Sequence, residues 1–279
     1  MAEGSVLPII PDLRGDDLHN LELADTSQLN LFMAGNQFMV MEELVRSFRE
    51  EHPEIQRIYY QTLPPGLQLK QILAGAATFR NRVIDAKADV YTSVSEKAME
   101  QLGKAGKIIP DSHRLYLHNR IVLMVPADNP SNITQVSDLG KDQVRISQPD
   151  PVNEDIAFHI LDMYRKAGGD ELVRRIMEEK RAEGTTVMTI VHHRETPLRL
   201  LKRTVDVGPV WATEAVHARS KGMPVKVVDP GPEMDQKERI NYYICQLKQA
   251  PNPENAATFL RFMASDRALS IYEKHGFVR

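Results

Sequence analysis

Short β-rich runs, each passing straight into a helical pattern, recur along this chain, and that alternation limits its fold more than any other feature. LNLFMA (29–34) leads into QFMVMEELVRSFREEH, where Met41, Leu44, Val45 and Phe48 fall at helical spacing with charges between them. IYYQT (58–62) passes through LPPG into LQLKQILAGA, and ADVYTS (88–93) into SEKAMEQLGKAG, with Ser95 as helix cap and Gly106 as stop. Strands linked through helices run parallel under a helical cover, so the expected class is α/β.

A second α/β series follows the Pro- and Asn-rich stretch PADNPSN (126–132). QVRIS (143–147) runs through QPDP into VNEDIAFHILDMYRKAGG, TTVMTIV into HHRETPLRLLKR, and VDVGPVW into ATEAVHARSKG before VKVVD (225–229). Two long apolar strands without hairpin turns, NRIVLMVP (119–126) and NYYICQL (241–247), suggest crossings between two domains, and a last helix follows from residue 253. The first 27 residues are polar and proline-bearing, and read as a loosely attached N-terminal arm. No repeat or low-complexity segment interrupts the pattern.

Composition narrows the partners. With 279 residues, 42% hydrophobic and 26% charged, the chain has the make-up of a soluble globular protein. Its net charge of -3, with basic residues spread among acids, argues against nucleic acid as a partner, because phosphate contacts need clustered Lys and Arg. Cys245 is the only cysteine, so neither an intrachain disulfide nor a cysteine-rich metal site can form. The apolar run IVLMVPA (121–127) falls far short of the roughly 20 residues that cross a bilayer. No secretory signal is visible in MAEGSVLPIIPDLRGDD, which leaves a cytoplasmic protein or a chain numbered after processing.

Ligands of parallel sheets bind outside the carboxyl ends of the strands, where helix N-termini point outward, so the strand-to-helix joints are where a site is expected. They read Ala34-Gly35-Asn36-Gln37, Leu63-Pro64-Pro65-Gly66, Thr92-Ser93-Val94-Ser95, Gln148-Pro149-Asp150-Pro151, His192-His193-Arg194-Glu195-Thr196 and Trp211-Ala212-Thr213. The fifth is the most unusual, because an apolar run ends in four side chains able to carry charge. Thr196-Pro197 then reads as a helix cap and first turn. A solvated corner would account for the same residues.

LNLFMAGNQFMVMEELVRSFREEHPEI, LQLKQILAGA, ADVYTSVSEKAMEQLGKAGKI, NRIVLMVPADNP, RETPLRLLKRTVDVGPVWATEA and FLRFMASDRALSIYEKHGF resemble, in order, segments of molybdate-type substrate-binding proteins of ABC importers. The resemblance spans roughly residues 29–279. It implies a type II periplasmic-binding-protein-like fold of two α/β lobes joined by two crossing strands. The lobes would be 28–117 with 241–279, and 118–240, and they would close on a solute held between them. It also implies a monomer in the periplasm or at the outer membrane face, a permease of the importer as partner, no cofactor and no catalysis. The processed alternative for the N-terminus is favoured on this ground.

Departures from the family pattern lie at the joints. Asn36 and Gln37 stand where the family offers a small hydroxyl residue, and Pro65-Gly66 where it reads Ser-Gly, removing both a hydroxyl and an N–H donor. TFRNRVIDAK (78–87) is an insertion, with Arg80 and Arg82 expected on a solvated loop. Asp150, Glu154 and Asp155 gather at a helix start, where they suit the helix dipole and disfavour a bound anion.

For a small anion, molybdate-like or organic, the expected contacts are Asn36, Gln37, Gly66, Ser93, His192, His193, Arg194, Thr196 and Trp211. For a divalent or ferric ion they are His192, His193, Glu195, Glu154 and Asp150, a nitrogen and oxygen set. The anion is the preferred reading. Rivals of other classes are a transferase on the same fold, which would need a cofactor-bearing cysteine in a loop where Cys245 sits in a strand-like run, and a ligand-sensing domain. No phosphate-loop, dinucleotide, zinc-protease or nucleophile-elbow motif is present.

Overall fold

In the computed structural model, which describes residues 7–109, 113–152, 154, 156–190 and 195–279, the alternation becomes two compact units. The chain begins with β1 (Ile9–Ile10), β2 (Leu18–His19), β3 (Leu29–Phe32), α1 (Phe38–Glu51), β4 (Ile58–Gln61) and α2 (Pro65–Ala74). It continues through β5 (Ala76–Phe79), β6 (Arg82–Asp85), β7 (Val90–Ser93), α3 (Glu96–Lys104) and β8 (Arg114–His118). The middle stretch holds β9 (Ile121–Pro126), β10 (Ile146–Gln148), α4 (Ile156–Arg174), α5 (Lys180–Ala182) and β11 (Thr186–Met188), then α6 (Glu195–Leu201), β12 (Gly208–Trp211), α7 (Ala212–Ser220) and β13 (Val225–Val228). The end returns through β14 (Asn241–Gln246), α8 (Pro253–Met263) and α9 (Asp266–Lys274).

Unit 1 holds residues 1–118 and 241–274 with Arg279. Its six-stranded sheet has the order β2-β4-β3-β7-β14-β8, in which β4, β3 and β7 are parallel and the remaining pairings are antiparallel. Alternation sends Phe32, Tyr59, Tyr91 and Cys245 to one face, against Leu69 and Ile72 of α2 and Met99 and Leu102 of α3. A second aromatic cluster joins the helices, where the Phe48 ring of α1 meets Phe259 at 5.2 Å and Phe262 at 5.3 Å, both edge-on, from α8.

The N-terminal stretch departs from the loose arm expected of it. β1 pairs in parallel with β5, and β2 pairs antiparallel with β4. Ile10 and Leu18 are buried with Leu63, Ala77, Phe79 and Ile84. The insertion at 78–87 supplies the rest of this small sheet, because β5 and β6 form a hairpin whose turn residue Arg80 adopts φ 53°. Arg80 and Arg82 stay outside, Arg80 over the Phe79 ring at 4.8 Å and Arg82 beside Asp25 at 3.5 Å.

Unit 2 holds residues 119–240 and 275–278. β10 and β11 pair in parallel, and β12-β9-β13 form an antiparallel sheet. The apolar run at 121–126 is β9, wholly inside unit 2, while the other long run is β14, wholly inside unit 1. The chain therefore passes between units at 118–119, 240–241 and, after α9, at 274–275 and 278–279. Residues 275–278, expected with the first lobe, group with unit 2, where a Cβ on Gly276 would stand 2.9 Å from the Val216 side chain of α7.

Candidate functional site

Within unit 1 the three parallel strands β4, β3 and β7 end side by side, so the first three joints form one row. The first amide groups of each following helix have no partner inside it, which makes such a row a place to hold a polar group. Gly35 opens a single 3-10 turn, Gly35–Gln37. A Cβ there would lie 2.9 Å from the Thr62 carbonyl oxygen and 3.3 Å from the Leu63 backbone, so only glycine lets the first two joints approach this closely. At the sequence level Gly35 carries no expected role. Its signal is the glycine itself at the end of a buried strand.

Asn36 and Gln37, both expected as contacts, part company. Asn36 is buried and donates from Nδ2 to the Tyr242 hydroxyl, while its Oδ1 is enclosed without a hydrogen-bond partner. A half-turn of the amide would exchange the two, with Tyr242 donating and Nδ2 left open, so the side chain can offer either an acceptor or a donor. Gln37 is fully buried and its polar atoms are already engaged. Its Nε2 donates to Thr92 Oγ1 at 3.1 Å, and its Oε1 accepts from Tyr116 at 2.9 Å and Tyr272 at 2.7 Å. Gln37 holds the joint, with both polar atoms of its side chain in hydrogen bonds.

The other two joints are more constrained. Tyr91 donates its hydroxyl to the Pro65 carbonyl at 3.0 Å, His19 Nε2 lies 3.1 Å from Thr62 Oγ1, and Gly66 is exposed with nothing within 4 Å of a Cβ position. Ser93 is buried, its Oγ accepting the Ser95 N–H at 3.1 Å. Ser95 itself makes no side-chain cap. Opposite Ser93 in the sheet stands Tyr243, which donates to Glu96 Oε2 at 3.3 Å; burial and the nearby Glu96 carboxylate raise the phenol's pKa above its usual value.

In unit 2 the corresponding joints follow β10 and β11. His192, His193 and Arg194 lie outside the described residues, as does Asp155. The helix beyond them starts at Glu195, one residue before the expected cap. The Thr196 hydroxyl is not presented outward but lies 2.8 Å from Ser147 Oγ, under β12, where a Cβ on Gly208 would meet the Thr196 methyl at 2.3 Å. Arg199, absent from the contacts expected from sequence, gathers this corner. It donates to Ser147 Oγ at 3.1 Å, to the carbonyls of Val187 and Met188 at 3.0 and 2.9 Å, and to Glu195 Oε1 at 2.9 Å. Its position four residues after Glu195 on a helix was the available clue.

The carboxylates expected in a metal set serve the loops. Glu195 also accepts the Ile190 N–H, Glu154 Oε1 accepts from the Thr189 hydroxyl and from the Asp150 N–H at 3.4 Å, and Asp150 Oδ1 accepts the Val152 N–H at 2.9 Å. Among the described residues no three His, Cys, Asp or Glu side chains gather as a metal-holding group. Trp211 is 3% exposed at the end of β12, its ring 6.3 Å from that of His159.

A family model described as bacterial extracellular solute-binding protein matches residues 29–278. A chain of Bacillus subtilis (strain 168) named "Putative ABC transporter substrate-binding lipoprotein YvgL" is 25% identical over 243 residues, covering 85% of this chain and 81% of that one. Among solved structures, the periplasmic molybdate-binding protein of Azotobacter vinelandii superposes with TM-score 0.70 at 19% identity, over 90% of this chain and 99% of its own. The sulfate-binding protein SubI of Mycobacterium tuberculosis H37Rv does so with TM-score 0.68 at 18% identity, over 90% and 86%. At such identities these structures speak for the fold, which is the type II periplasmic-binding-protein class that the sequence resemblance implies.

Proposed function

The chain belongs to the bacterial extracellular solute-binding proteins, and from that premise we propose that it captures a small anion outside the cytoplasm for the permease of an ABC importer. One observation carries the choice of site: Asn36, buried at the row of joints in unit 1, keeps one amide atom unpaired. A buried polar atom without a partner costs about 1–3 kcal/mol, a penalty that a bound solute would relieve. Asn36, Ser93, the Gly66 N–H in the first turn of α2, the first amides of α3 and the 3-10 turn are the proposed contacts in unit 1. The role is to hold and release the solute, with no bond made or broken.

Three considerations favour an anion over a metal ion. Helix starts present N–H donors, which suit negative charge. The carboxylates that a cation would need are occupied, Glu195 by Arg199 and the Ile190 N–H, and Glu154 by the Thr189 hydroxyl and the Asp150 N–H. Their charge is also partly offset, so they oppose an anion less than their number suggests. The named ligands of the two similar structures, molybdate and sulfate, are oxyanions.

A thermal-shift screen with molybdate, tungstate, sulfate, phosphate, small carboxylates and divalent metals tests the reading. An anion at 100 times its Kd should stabilise the chain by about 2.7 kcal/mol, and Asn36→Ala should weaken its affinity. A shift with metals alone, or with nothing in the panel, would count against it.

A further inference from the structure

Three of the four passages of the chain between units, all but the last at 278–279, share a feature that solute capture does not by itself require. Tyr116 precedes the first passage at 118–119, Tyr242 follows the second at 240–241, and Tyr272 precedes the third at 274–275. All three hydroxyls bond to one two-residue segment. Asn36 Nδ2 donates to Tyr242, and Gln37 Oε1 accepts from both Tyr116 and Tyr272. Tyr242, Tyr272 and Gln37 are fully buried, and the rings of Tyr116 and Tyr272 meet edge-on at 6.0 Å. Burial above all keeps the Tyr116 and Tyr272 phenols protonated, so they remain donors.

Asn36 is also the residue with the open amide atom at the solute joint, and β7 holds the chain just before this segment through Thr92 Oγ1, which accepts the Ala34 N–H at 2.7 Å. We propose that the Asn36–Gln37 segment couples solute contact beyond the end of β3 to these three passages between the units, with Gln37 a positioning residue that touches no solute. Buried hydrogen-bond networks act as a unit, so a displacement of Asn36 by its ligand is felt by every hydroxyl tied to the same turn. The proposal rests on the solute-binding reading for its trigger, but the network itself can be tested without solute.

The test is hydrogen–deuterium exchange on the full chain carrying Tyr272→Phe, with Tyr59→Phe as control. The control removes another buried tyrosine–glutamine bond of unit 1, from Gln61 Nε2 at 2.8 Å. Without solute, Tyr272→Phe should speed exchange about fivefold or more in 34–38, 113–121 and 238–246 together, while Tyr59→Phe leaves all three unchanged. Faster exchange confined to the neighbourhood of residue 272, or the same pattern in the control, overturns the coupling. If Tyr272→Phe does not fold, Tyr116→Phe removes the other donor to the same oxygen and is read in the same way. Adding molybdate or sulfate should protect all four segments of wild type, including 270–278, but only 34–38 of the variant. If neither anion shifts the wild-type melting temperature, the solute reading loses support while the solute-free comparison still decides the coupling.

Discussion

Two glycines at neighbouring joints behave differently because of what surrounds them. Gly35→Ala would force a Cβ to 2.9 Å from a backbone carbonyl, and such overpacking typically costs about 1–3 kcal/mol. Gly66→Ala meets open space at a helix start and should be neutral or stabilising by up to about 1 kcal/mol. Denaturant midpoints for the two variants check this contrast, and equal effects would contradict the packing argument. The same scale marks the limit of what the sequence reveals. Asn36 and Gln37 are adjacent and chemically alike, and both read as contacts. Only the fold brings Tyr116, Tyr242 and Tyr272 to them and leaves one amide with an open atom and the other with none. Cys245 is legible either way: read as a small hydrophobe in a strand, it lies fully buried in the unit 1 core, where burial pushes its thiol up to about 12.

Long amphipathic helices and the four-residue buried strands β3, β4 and β7 were readable, and the shorter or exposed strands were not. α1, with buried positions at 41, 44, 45 and 48, stands where the spacing puts it. β1 and β2 have two residues each, too few for any alternation to emerge, and β6 exposes three of its four. The β5–β6 hairpin therefore passed for a loop, although Phe79 and Ile84 already carried its inward face. A 3-10 turn in unit 2, Val136–Gly140, offers a pH prediction. Burial would raise the Asp138 carboxyl, but hydrogen bonds from Lys141, Thr134 and Gln135 outweigh it and hold the group down at about 2. A carboxylate depressed on folding stabilises above its unfolded value near 3.8 and loses that contribution as pH falls toward 2. Asp138→Asn should therefore cost on the order of 2 kcal/mol at pH 7 and distinctly less at pH 3 in denaturant melts. A penalty independent of pH would assign the residue a packing role only.

For the molecule as a whole, the order of segments carries the fold class, because six stretches spread over most of the chain keep the spacing of one family, and the family match over 29–278 agrees. The ligand is harder to read. The proposed contacts are single side chains and backbone amides drawn from joints far apart in the sequence, and at Ala34-Gly35-Asn36-Gln37 and Pro65-Gly66 the sequence departs from the pattern of the family it resembles. The central claim is that the protein holds a solute and lets it go unchanged. Native mass spectrometry tests it most directly, on the chain incubated with the screened anions and then denatured. The account predicts one anion per chain, recovered with its mass unaltered. A chain that retains none of them, or releases a chemically altered product, would contradict it.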